Sequence, residues 1–118
     1  MPTKEEQTIR SNALTLVNEA REALGRDALD ELPRGVPRQK KFCPVACAIE
    51  GASVTDQVIR FPEEASARAV ADAWGRFCHK NAALCSTDYE VFLPEALHTF
   101  VLFFDTGGLP QLIKEGHR

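Results

Sequence analysis

The stretch Val54-Thr55-Asp56-Gln57-Val58-Ile59-Arg60-Phe61-Pro62-Glu63-Glu64 organises the rest of this chain. Val54, Asp56, Val58 and Arg60 alternate with Thr55, Gln57, Ile59 and Phe61, the period-two pattern of a strand. The proline and two acids that follow open a helix that runs through Trp74 to Gly75. The same grammar returns at Tyr89 to Leu93, followed by Pro94-Glu95 and a helix ending near Gly107. In both units acids occupy the first helical turn, where the helix dipole favours negative charge. The predicted order is strand, helix, strand, helix.

Upstream, Thr3 is a suitable N-cap with Glu6 three residues later. Ile9, Ala13, Leu16, Val17, Ala20 and Leu24 then recur at helical spacing. Residues 4–24 are therefore expected as one amphipathic helix. From Arg26 to Phe42 the periodicity is lost and Pro33, Gly35 and Pro37 break any continuation, which makes 26–42 an irregular basic loop. Pro44 suits the first position of a short helix, placing Cys43 at its N-cap. The expectation is one α+β domain spanning 1–118. In it the long first helix and the last helix pack on a two-stranded unit, with 43–118 as the mixed strand and helix half.

Composition sets outer bounds. A chain of 118 residues with 44% apolar content can bury a core without disulfides or a metal. No apolar run approaches the roughly 18 residues needed to span a bilayer, and the first residues lack the apolar core of a secretory signal. A cytoplasmic location with reduced thiols is expected, with no membrane contact. The net charge of −3 argues against a general nucleic-acid coat.

Chemistry concentrates in one segment, Arg34 to Cys47. Arg34, Arg38, Lys40 and Lys41 precede a helix whose first residues, 44–46, would complete an anion site for phosphate or nucleic acid through the N–H groups of Val45 and Ala46. With Phe42 as its only aromatic, the loop lacks a stacking series for bases. Cys43, at a helix start next to two lysines, is expected to carry a lowered pKa and to be the reactive thiol. Cys43, Cys47, Cys78 and Cys85 would make a four-thiol set. Their gaps of three, thirty and six residues fit no usual zinc or iron–sulfur pattern. Cys47 and Cys78 read instead as small buried hydrophobes beside Val45, Ala48, Trp74 and Phe77. Cys78 and His79 are chain neighbours, so on a helix their side chains would diverge and form no dyad. The pairs Glu5-Glu6 and Glu63-Glu64 are explained by the dipole and suggest no catalytic carboxylates.

The last helix is unusually apolar. Leu97, Phe100, Val101 and Phe104 form an inward stripe, leaving Leu102 and Phe103 outside it. Those two residues are expected at an interface with a protein partner or a second copy, unless the first helix or the tail covers them.

Several short runs carry a resemblance. They are Asp30-Glu31-Leu32-Pro33-Arg34-Gly35, Cys43-Pro44, Ala73-Trp74-Gly75, Leu93-Pro94, Phe104-Asp105 and Leu109-Pro110. In this order and in its alanine-rich, arginine-over-lysine composition the chain resembles small uncharacterised proteins of actinobacteria and their phages. That resemblance implies no catalytic residues, and Cys47 lies outside its pattern. The leading functional reading is a non-enzymatic binding protein without a cofactor, its partner a protein. The alternatives are a thiol or metal sensor built on the four cysteines, then phosphate or nucleic-acid binding by the basic loop.

Overall fold

The computed structural model describes residues 4–39, 42–49, 51–55, 57–80 and 88–113. Helix α1 spans Lys4–Ala23 and α2 spans Pro44–Ala48. Strands β1 (Ser53–Val54) and β2 (Val58–Phe61) form a hairpin. Then come α3 (Glu64–Trp74), β3 (Cys78–Lys80), β4 (Tyr89–Phe92) and α4 (Glu95–Asp105), with a 3-10 turn at Pro110–Leu112. The result is an α+β domain in which one antiparallel sheet, ordered β1-β2-β4-β3, carries the described helices on one face. No helix among the described residues is long and apolar enough to cross a membrane.

The sheet has four strands rather than the expected two, for two local reasons. Thr55 breaks the alternating run: its Oγ1 accepts N–H bonds from Gln57 and Val58 at 3.2 and 3.0 Å, and its own N–H donates to the Val58 carbonyl. This side-chain turn folds one apparent strand into a hairpin while the alternation continues across it. Strand β3 is short and polar, so period-two hydrophobicity does not mark it. Cys78 and His79 therefore lie on a strand and not on a helix, and they point to opposite faces of the sheet.

Register sets those faces. Ile59 lies opposite Val91 and Phe61 opposite Tyr89 on the side that meets the helices, with Val54 and Cys78 flanking the first pair. Helix α3 packs on this side, and α1 packs across α3 and α4. Helix α1 buries Ala13, Val17 and Ala20, small side chains that let two neighbouring helices approach it. Phe100 and Phe104 of α4 stack with centroids 6.3 Å apart and are fully buried with Leu97 and Leu109. The Trp74 indole N–H reaches back to the Leu16 carbonyl at 2.8 Å and ties α3 to α1.

The irregular 24–39 segment is held by side chains of α1. Asn18 donates to the Leu29 carbonyl at 3.0 Å and accepts the Leu29 N–H at 2.8 Å, satisfying both backbone groups of one loop residue. Arg21 donates to the carbonyls of Asp27 and Ala48, so one guanidinium secures the loop and the end of α2 together. Gly35 is required by close approach: a Cβ there would collide with the Phe42 carbonyl oxygen. Its N–H bonds the Leu112 carbonyl, and Gly35 bridges Ile113, which closes the tail onto the loop.

Asn18→Ala removes both loop bonds at a half-buried position, and should lower unfolding stability by about 1–3 kcal/mol in urea titration with an unchanged m value.

Candidate functional site

Two surfaces bring chemistry-bearing residues together. The first is the face of the sheet turned away from the helices. Glu90 of β4 lies between Arg60 of β2 and His79 of β3, its cross-strand partners on either side. Its carboxylate accepts from Arg60 Nε at 2.6 Å and approaches His79 Nε2 at 3.2 Å. The next row of the same face is apolar. Phe92 sits opposite Val58, which is buried yet outside the core cluster, and the ring of Phe92 packs against His79 at a centroid distance of 5.2 Å. Phe77, one residue before β3 and in the position opposite Phe92 by continued register, is 89% exposed. Phe92 itself is 52% exposed. The strand geometry thus corrects the expectation that Phe77 covers Cys78: Cys78 packs on the core side and Phe77 stands in solvent.

The second surface is a cleft of about 360 Å³ lined by Arg38, Cys43, Val54, Val101, Leu102 and Asp105. It brings together three segments singled out in the sequence: the basic loop, the thiol and the apolar helix. Arg38 holds a left-handed backbone, φ 61°, which costs a residue with a Cβ on the order of 1 kcal/mol or more. Its N–H donates to Asp105 Oδ1 at 2.9 Å. Leu102 is 42% exposed in this cleft, whereas Phe103 is half-buried against the core.

Three expectations change here. Phe103 is partly covered from within the chain, by the turn after α4. Gly107 takes φ 85°, the Gly108 N–H returns to the Phe103 carbonyl, and the Phe103 ring lies where a Cβ on Gly108 would be. Cys43 is the N-cap of α2 as expected, accepting the Ala46 N–H at 3.4 Å, but it is only 3% exposed. Burial pushes its thiol up to about 11, outweighing the Ala46 and Val45 N–H groups, and nearby Asp105 adds to the rise. The dipole and the lysines suggest the reverse, and desolvation wins because a thiolate there would lose its water. The N–H groups expected to face an anion are turned to Cys43 instead: Pro44 has none, and those of Ala46 and Val45 point at the Cys43 sulfur, with Asp105 nearby.

Of the remaining candidates, Arg34 is exposed on the loop, while Lys40, Lys41 and Cys85 lie outside the described residues. Cys47 is half-buried on α2. Cys78, on the core side of β3 near Arg68 and Glu64, also has its thiol pKa raised, first by desolvation. Among the described residues no group of three or more His, Cys, Asp or Glu is placed to hold a metal ion.

The Cys43 thiol pKa is about 11 in the fold against 9.0 for the free group, so the folded state holds this proton more tightly than the unfolded chain. Its contribution is complete below pH 9.0 and is lost as pH rises toward 11. Between those limits the wild type should lose about 2–3 kcal/mol more stability than Cys43→Ala, measured by urea unfolding at stepped pH.

No protein-family model, curated protein or solved structure matches this chain.

Proposed function

We propose that this is a non-catalytic interaction protein that works as a homodimer, with the helix-free face of the sheet as its contact surface. The observation that carries the reading is the row Phe77, Phe92 and Val58 on a sheet face that no described helix covers. Antiparallel sheets tolerate water on one face, but that face is then ordinarily polar. Here one row is polar and the adjoining row presents two phenylalanines, each worth about 1.5–3 kcal/mol if fully buried.

A second copy is the occupant that the charges favour. In a two-fold contact, a charged group near the axis meets its own copy, so uncompensated charge is repelled. On this face the charged groups near the centre, Arg60 and Glu90, already neutralise each other within one chain, with His79 on the remaining carboxylate oxygen. The face can therefore meet itself without like-charge repulsion, its aromatic row packing across the axis as two sheets do in a sandwich.

Light scattering across a concentration series should show a dimer for the wild type and a monomer for Phe77→Ser/Phe92→Ser, with unchanged circular dichroism. Leu102→Glu, away from this face, should remain dimeric. A wild type that stays monomeric at the highest attainable concentration, or a dimer lost only in Leu102→Glu, would overturn the proposal.

A further inference from the structure

We infer that the cleft between the 34–39 loop and the end of α4 binds a small zwitterion with an aliphatic side chain, of the chemistry of a free α-amino acid such as leucine. This site is separate from the sheet face. Arg38 and Asp105 line the same cleft with opposite charges, yet they form no side-chain ion pair. The one bond between them runs from the Arg38 backbone N–H to Asp105 Oδ1. That bond fixes the loop to the helix and leaves the guanidinium and Oδ2 without a protein partner among the described residues. A left-handed backbone at Arg38, unfavourable for any residue bearing a Cβ, is what this placement requires.

Apart from the polar Gln39 and Thr55, the wall shared with the two charges is apolar. Val54 and Val101 are buried, and Leu102 keeps 42% of its surface exposed in the cleft. Cys43 contributes a neutral, apolar sulfur there. The cleft volume, about 360 Å³, lies at the lower end of small-molecule sites, which run to about 300–1,000 Å³.

These features select among ligand chemistries. A simple carboxylate would pair with Arg38 but meet Asp105. A simple amine would meet the reverse. A purely apolar molecule would strip water from both charges and return nothing to them. An α-amino acid answers each element: its carboxylate takes the guanidinium fork bidentately, its ammonium donates to Asp105, and its side chain lies on Val101 and Leu102.

The test is a chemical-shift titration of the wild-type chain with L-leucine, isovalerate, isoamylamine and L-serine. Leucine should give saturable shifts at Arg38, Val54 and Leu102, with each of the other three at least about tenfold weaker. Arg38→Gln and Asp105→Asn should each weaken leucine by about tenfold or more; asparagine keeps the Oδ1 acceptor for the Arg38 N–H, so the loop anchor survives. The absence of saturable shifts with leucine would overturn the inference. So would isovalerate or isoamylamine binding as tightly as leucine, or a folded Asp105→Asn that binds unchanged. The ligand series is read on the wild type, so a variant that fails to fold leaves the test intact.

Discussion

The pairing of β2 with β4 places Ile59 opposite Val91 and Arg60 opposite Glu90, and the two faces of the sheet follow from that register. Side chains alternate along a strand, so a slip of one residue would send Arg60 and Glu90 into the helices and put Ile59 and Val91 in water. The burial of charge and the loss of apolar contact both oppose that slip. Once the register holds, His79 must join Glu90, Cys78 must turn to the core, and Phe92 must stand in solvent beside Val58. The open face thus follows from burying the other one, because every described helix packs on the same side.

The cleft depends on a different set of contacts. Asn18 and Arg21 of α1 hold the backbone that follows it. The loop then passes under Phe42 at Gly35, where only a hydrogen fits, and turns through a left-handed Arg38 to meet Asp105. Each anchor uses a backbone donor or acceptor, so among the described residues no hydrogen bond engages the Arg38 guanidinium or Asp105 Oδ2. The same geometry disfavours a thiolate at Cys43. The turn that buries it at the N-cap of α2 also strips the water a thiolate would need.

Helices α1 and α4 are legible in the sequence from their amphipathic periods and α3 from the proline and acids that open it, and the N-cap at Cys43 is legible because Pro44 marks the first helical position. The turn at Thr55 is not, since a hydroxyl that closes a hairpin leaves the alternation of its neighbours intact. Strand β3 carries no signal of its own: its pairing comes from β4 across an intervening segment, and its residues are polar. The cover over Phe103 escapes a sequence reading because it belongs to a glycine pair whose pattern marks only a helix stop. The pKa of Cys43 takes the opposite sign from the one its neighbours suggest, because charge proximity is visible along a chain whereas burial is a property of the fold. Arg38 and Leu102 each stand out in the sequence, but Arg38 meets Asp105 across 67 positions, and only the folded chain shows that.

If the helix-free face of the sheet joins two copies of the chain, an isotope-filtered NOE experiment on an equal mixture of labelled and unlabelled protein should show it residue by residue. Intermolecular cross-peaks are expected between the rings of Phe77 and Phe92 in one copy and the Val58 methyl groups or the Phe92 ring of the other. Intermolecular peaks that fall instead on Leu102, or an absence of any in a sample shown to be dimeric, would contradict an interface on this face.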